Sequence, residues 1–319
     1  MKKLLPTLLL LFTFSMFLQA QDYKTLVKKA DALYDAKDYK QSFLAYQEAF
    51  KIKKTSINDT YNAACSAALS GEQKAALELL ELSVTNGWSD FSHLKIDTDL
   101  ETLHDTESWK ALLAKIQAKQ AEIEAKLDKS MLAELAGIQE EDQKYRLQTD
   151  VIEKKFGRES PEMREIWKTI HIKDSINLRK VIAFLDKYGW VGADKIGKEG
   201  NSTLFLVIQH ADLEPQLKYL PMMRDAVKKG NASGSSLALL EDRTSLRQHK
   251  RQIYGSQIGR KKDGTYFVQS LDDPDNVDKR RAEVGLGLLQ DYVNNWNIVW
   301  NVEEYKKQLP EMDALNGIK

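Results

Sequence analysis

Between residues 23 and 85 one pattern of small and bulky positions comes round twice, at an interval of 34 residues. Ala30 is matched by Ala64, Phe43 by Leu77, Tyr46 by Leu80, Ala49 by Ser83 and Phe50 by Val84. A period of this length means one supersecondary unit per repeat, two helices joined by a turn. Small residues fall where paired helices approach closely, and large ones where they wedge apart. Lys37-Asp38-Tyr39 and Ser70-Gly71-Glu72 punctuate the turns. Two such units cannot bury their faces alone, so the chain must cap them. Asn86-Gly87-Trp88 ends the second unit. Beyond it Leu94, Ile96, Leu100, Leu103, Trp109, Leu112, Leu113 and Ile116 form an apolar stripe, with Asp97-Thr98-Asp99-Leu100 as a loop entering a helix.

Residues 23–85 resemble tetratricopeptide repeats in period and in the placing of small residues, with Ser83 departing from the usual alanine. The closing segment to residue 116 resembles the ending of exported bacterial tetratricopeptide proteins. The resemblance implies a concave face that holds a protein or peptide partner, with Lys28, Tyr34, Tyr61 and Asn62 as the candidate contacts.

Residues 1–20 read as an export signal. Lys2 and Lys3 are the positive start, Leu8 to Phe17 the apolar stretch, and Leu18-Gln19-Ala20 the cleavage site before Gln21. The apolar stretch is shorter than the ~20 residues a spanning helix needs, and no cysteine directly follows Ala20. The expected location is therefore periplasmic or extracellular, with no membrane span after removal of the signal. The chain has 47 Lys and Arg against 47 Asp and Glu, and losing Lys2 and Lys3 leaves a net charge of −2. That balance is unlike a nucleic-acid binder, which carries a basic stripe. Cys65 is the single cysteine, so no internal disulfide exists, and its alanine neighbours make it a small buried core residue.

Residues 117–156 are rich in Ala, Glu, Lys, Gln and Leu, and the spacing predicts one long connecting helix. Ile123, Leu127, Met131, Leu135 and Ile138 mark its packed face. Residues 157–319 then read as a helical C-terminal domain. Pro161 opens a helix behind Ser160, and Gly189 ends another. Asp212-Leu213-Glu214-Pro215 starts the next, and Ser235 or Ser236 caps the one after it. Gln252 to Ile258 pairs with Thr265 to Gln269 as a β-hairpin, and Asp273-Pro274 caps a last helical region. The fold class expected is mainly α: a short helical solenoid with a cap, a long helix, and a helical domain with a small hairpin.

Chemistry concentrates in the C-terminal half. The buried run Leu204–Ile208 leads directly into Gln209-His210-Ala211-Asp212, and Leu237–Leu240 leads into Glu241-Asp242-Arg243. Gln252-Ile253-Tyr254-Gly255-Ser256-Gln257 follows. Polar groups delivered from the ends of apolar runs lie near the core and need partners. These clusters are therefore expected to meet, with Arg280-Arg281 and with Asp142, Gln143 and Arg146 closing one side. His210 reads as a structural histidine, a general acid or base, or a metal ligand. His93, His104, His171 and His249 stand in polar contexts, so only Asp212 and Asp242 could join it as ligands, and no metal is expected. Ser256 is a nucleophile only if His210 reaches it. Gly192, Gly197 and Gly200 are too scattered for a phosphate loop, no Gly-x-Ser-x-Gly elbow exists, and no cofactor is expected.

A longer string carries a second resemblance. It runs from Asp142-Gln143 and Arg146 through Asp174, Asn177, Gly189-Trp190, Gly197, Gln209-His210-Ala211-Asp212, Asp242-Arg243, Gln252 and Tyr254-Gly255-Ser256-Gln257. Asp273-Pro274, Val277-Asp278, Arg280-Arg281 and Gly285-Leu286 complete it. In this order the residues resemble a domain family without a known activity, found in bacterial proteins and often behind repeats; Val191 stands where proline is usual. Two functional readings follow. One is an exported binding or scaffold protein of the cell envelope, with a polar pocket in its C-terminal domain. The other is an enzyme for a small polar or cell-wall-derived substrate, using His210, Asp212, Asp242 and Arg243. Substrate contacts would then come from Asp142, Gln143, Arg146, Gln209, Gln252, Tyr254, Gln257, Arg280 and Arg281.

Overall fold

Two helical hairpins in succession account for the 34-residue period. In the computed structural model the described residues are 22–318, apart from 53–55, 89–90 and 262, so the expected export signal of residues 1–20 lies outside them. The first hairpin joins α1 (residues 22–35) to α2 (Tyr39–Ile52), and the second joins α3 (Ile57–Leu69) to α4 (Gln73–Thr85). Ala30, Ala49, Ala64 and Ala76 are fully buried where the helices meet. Ser83 is fully buried too, and its hydroxyl donates to the Ile57 carbonyl at 3.0 Å, so the departure from alanine costs no unpaired group.

The cap follows as α5 (Phe91–Ile96), a 3₁₀ turn (Thr98–Leu103) and α6 (Glu107–Lys126). Leu94, Leu100, Leu103, Trp109, Leu112 and Ile116 join one core with Phe43, Tyr61 and Leu80, and Leu113 packs at its edge. Ile96 does not join it: it is 75 % exposed, because the helix ends there and Asp97 takes over as the cap of the 3₁₀ turn.

The chain divides into two compact units, Met1–Ala125 and Lys126–Lys319. Residues 117–156 are not one connecting helix. Asp128 accepts the Ser130 and Met131 amides at 3.0 Å, and this N-cap starts a new helix, α7 (Lys129–Arg146). Leu147 ends α7, and α8 (Thr149–Phe156) follows. Leu135 and Ile138 of α7 are core residues of the second unit, packed with α9 (Pro161–Tyr188) and α10 (Ala193–His210). Pro161 sits in the first turn of α9 behind Ser160, whose side chain accepts the Met163 amide, and Lys173–Lys187 is the second half of this single helix.

α11 (Leu213–Lys228) and α12 (Gly234–Arg247) complete the helical core. The cap of α12 is Ser233, ahead of the two serines expected. Gly197 interrupts α10 with φ +68°, a backbone state open to glycine, and re-aims the half that carries the buried run to His210. The hairpin is shorter than expected: β1 (Ile258–Arg260) pairs antiparallel with β2 (Tyr266–Val268), while Gln252 makes a single bridge to Leu271. Past it come a 3₁₀ turn (Pro274–Asn276), α13 (Val277–Glu283), α14 (Leu289–Val293), a 3₁₀ turn (Asn294–Trp296) and α15 (Val302–Leu315). Among the described residues no helix is long and apolar enough to cross a membrane. Leu135 has no exposed surface, so Leu135→Ala is expected to destabilise the second unit by about 2–5 kcal/mol, read as a lower urea midpoint.

Candidate functional site

The ends of α10 and α12 deliver their polar residues to the same place, as their burial requires. Arg243 Nη1 donates to the Gln209 carbonyl at 2.8 Å, and Arg243 Nε to Gln257 Oε1 at 3.1 Å. The polar groups then separate into a closed network and an open one.

The closed network is a clamp on the loop 252–257. Asp242 is fully buried, and its carboxylate accepts the amides of Ile253 (2.7 Å), Tyr254 (2.9 Å) and Ser256 (2.9 Å). Gly255, with φ +69°, turns the backbone so that these amides converge. Burial pushes the Asp242 carboxyl up, and the three amides pull it back. The loop carbonyls are held from the other side: Arg280 Nε donates to Ile253 O at 2.9 Å and Arg281 Nη1 to Tyr254 O at 2.8 Å. Arg281 is only 2 % exposed and stacks over Tyr292, whose hydroxyl donates to Ser256 O. Gln252 ties the loop ends through Gln257 and Gln269.

These bonds change the expected roles. Asp242 does not pair with Arg243; it serves backbone amides, as a carboxylate with four acceptor positions can. Beyond this loop Arg281 Nε donates to the Gly287 carbonyl at 2.6 Å, and Arg280 donates to the Asp272 and Asp273 carbonyls and pairs with the Asp273 carboxylate at 3.1 Å. The Tyr254 hydroxyl is raised by burial and by neighbouring Glu241 and Asp242. Ser256 is no partner of His210: its amide serves Asp242 and its Oγ takes the Gln257 amide at 3.0 Å.

The open network centres on His210. Its Nδ1 lies 3.1 Å from Asp142 Oδ1, on the side of α7. Asp142 is not half of a surface ion pair. It is 3 % exposed, with Gln143 donating to it at 2.6 Å and Arg146 Nε 3.7 Å away. Burial acts to raise its pKa, but the His210 bond, Arg146 and Gln143 prevail and hold the carboxyl below its usual range. Because an ionised carboxylate only accepts, Nδ1 carries the proton, and Nε2 makes no bond among the described residues. Arg146 reaches past Asp142 to Asp174 at 2.5 Å.

Asp142, Asp174 and His210 offer three ligand-type atoms within 4.8 Å of one another. The Arg146 guanidinium lies against both carboxylates and supplies the positive charge a metal would bring. Asp212 stands apart: its side chain is exposed and makes no capping bond to α11. Sequence reasoning does not single out Arg247 or Tyr292, and it gives Asp174 only within the family resemblance. Arg247 was legible as the residue one helical turn beyond Arg243, whereas Asp174 meets Arg146 only through the packing of α7 on α9.

In the first unit Tyr34, Tyr61 and Asn62 line a cavity of about 560 Å³ together with Asp31, Asp35, Tyr46, Cys65, His93, Asp97 and Asp99. Lys28 is exposed and is not part of its wall. Each tyrosine hydroxyl donates to an aspartate, Tyr61 to Asp97 at 2.7 Å, Tyr34 to Asp99 and Tyr46 to Asp31. The Tyr61 ring is stacked on Trp88 with centroids 4.4 Å apart. Burial, with Asp97 and Asp99 beside it, pushes the Cys65 thiol up and keeps it protonated, consistent with a core role. His93 and His104, read from sequence as standing in polar contexts, pack against Tyr61 and Trp109.

Fold and site together define a helical domain built around a clamped loop and an Asp–His–Arg constellation. A family model described as a family of unknown function, DUF6624, matches residues 129–302, more than half of the chain. The protein belongs to that family. The matched stretch holds every residue of the clamp and of the His210 constellation. No curated protein and no solved structure matches the chain.

Asp242→Asn puts an amide NH₂ against a backbone donor, and leaving one loop amide unpaired is expected to cost about 1–3 kcal/mol, measured by denaturant unfolding. Asp142 is lowered in the folded state, so its contribution to stability is complete above its unfolded value of about pH 4. That contribution falls away as the pH drops through the folded value. Asp142→Asn is therefore expected to flatten the acid limb of the stability profile, measured as urea midpoints between pH 6 and pH 2.

Proposed function

We propose that this is an exported binding protein of the cell envelope, whose tetratricopeptide-like first unit holds a cationic segment of a protein partner. The observation that carries this reading is the cavity of about 560 Å³, whose wall contains four aspartates and three tyrosines. A lysine or arginine entering it meets Asp31, Asp97 and Asp99, which tyrosine hydroxyls already orient, so little entropy is lost on binding. The charge is one-sided, which favours cationic partners and penalises acidic ones. Export rests on the sequence of residues 1–20, and a chain without disulfides is compatible with it, since the two packed cores are large.

Asp35 lines the cavity and is exposed, so its substitution leaves the core intact. The full chain is expected to bind lysine- and arginine-rich peptides more tightly than neutral ones in fluorescence anisotropy, with affinity falling as salt rises. Asp35→Lys is expected to weaken that binding about tenfold or more, some 1.4 kcal/mol. Equal binding by Asp35→Lys and wild type would sink the reading.

One observation favours a second reading, an enzyme acting on a small polar substrate. Asp142 holds His210 by Nδ1, which leaves Nε2 as the nitrogen that could exchange a proton with a bound molecule. Asp142, not Asp212, is then the orienting carboxylate. His210→Ala leaves Asp142 with Gln143 and Arg146 as partners. A functional histidine therefore predicts loss of the in vivo phenotype with a thermal midpoint close to that of wild type. A large drop in midpoint would assign His210 to structure instead.

A further inference from the structure

Two arginines one helical turn apart on α12 straddle His210. Arg243 Nη1 donates to the carbonyl of Gln209 at 2.8 Å, and Arg247 Nη1 to the carbonyl of Ala211 at 2.7 Å. Their remaining side-chain acceptors are the neutral amide oxygens of Gln257 and Gln216. Neutral acceptors satisfy N–H groups without cancelling charge. Among the described residues neither arginine has a carboxylate within 4.0 Å, although 47 acidic residues are available in the chain. Asp242, next in sequence to Arg243, is turned to the loop amides, and Asp212, next to Ala211, is exposed with no bond to either guanidinium.

The cost of this arrangement falls on Arg243. Burial, then the neighbouring charges of Arg247 and Arg146, bring its pKa down to about 10, so it stays charged at neutral pH. Arg146 itself is neutralised by Asp142 and Asp174, whereas Arg243 and Arg247 beside it have no carboxylate partner among the described residues. A half-buried cation beside a second cation is unfavourable unless an anion completes the set. The Nη2 groups of both arginines make no bond among the described residues, so each guanidinium keeps a free donor. Guanidinium forks match tetrahedral oxyanions, and His210 is the residue between the two carbonyls they hold.

We propose that Arg243 and Arg247, which hold the backbone on either side of His210, form a binding site for a phosphate-class dianion, the phosphate group of a small molecule or inorganic phosphate itself. The double negative charge answers the two unneutralised guanidiniums. The proposal gives the second functional reading its ligand class and rests on it for the position of the site, not for any turnover. It is independent of the acidic cavity in the first unit.

The test is titration of the full chain with inorganic phosphate at constant ionic strength, chloride being the balancing anion. Binding is followed by the thermal midpoint and by the ring proton resonances of His210. The expected result is a saturable rise of the midpoint with phosphate and a matching shift of the His210 resonances. Arg247→Gln, which removes the Nη1 bonds to the Ala211 carbonyl and Gln216 Oε1, is expected to lower the phosphate-free midpoint and, with the fold retained, to lose about tenfold or more in phosphate affinity. Lys168→Gln, which removes an exposed charge elsewhere in the same unit, is expected to bind as wild type does. No saturable response, or equal affinity in wild type and Arg247→Gln, overturns the proposal. So does equal weakening by Lys168→Gln, which reduces the effect to general charge. Phosphate binding that persists while His210→Ala leaves the phenotype intact refutes the enzymatic reading and leaves the anion site standing.

Discussion

The second unit depends on one buried carboxylate. Asp242 comes off α12 with no arginine to meet it, and the amides of residues 253, 254 and 256 are the donors that make its burial tolerable. The loop is thereby wrapped round the end of the helix, and its carbonyls turn outward, where Arg280 and Arg281 collect them. α13 is docked by the same bonds. Helix, loop and helix are thus joined by charges that serve backbone groups rather than each other. This arrangement also frees Arg243. With Asp242 committed to the loop, the adjacent guanidinium must find neutral acceptors, and it does so on Gln209 and Gln257.

The two units solve the placing of charge in opposite ways. The first gathers aspartates in a cavity and gives them tyrosine hydroxyls, which hold a carboxylate in place and leave its charge intact. The second gathers arginines beside His210 and gives two of them only amide oxygens. In both, neutral partners hold the charged side chains without cancelling their charge. The two proposed ligands, a cationic segment and a dianion, differ in sign for this reason.

Much of the fold was readable because it rests on local chemistry. The 34-residue period, the cap at Ser160, the proline in the first turn of α9 and the glycine that ends it each act within a few residues. The continuous helix expected over 117–156 shows the limit of composition. Most residues there favour a helix, but the Asp128 side chain takes two amides and begins a new one, and Leu127-Asp128 is a weak signal among so many helix formers. Ile96 misled for a related reason: it fits the apolar stripe by spacing, yet it lies on the last turn of a short helix and faces water.

The sequence by itself determined that the polar clusters at the ends of α10 and α12 would be drawn together, since apolar runs carry them to the core. It also determined which residue types would meet there. Only the tertiary structure decided the partners. Asp242 and Arg243 are neighbours in the chain but point to different surroundings, because successive residues on a helix diverge by about 100°. His210 takes Asp142, sixty-eight residues away, and not Asp212, two residues away, because α7 packs beside the end of α10 while Asp212 opens α11 toward solvent. Which charges are cancelled and which are left open is a property of helix packing, and a linear pattern of residues does not contain it.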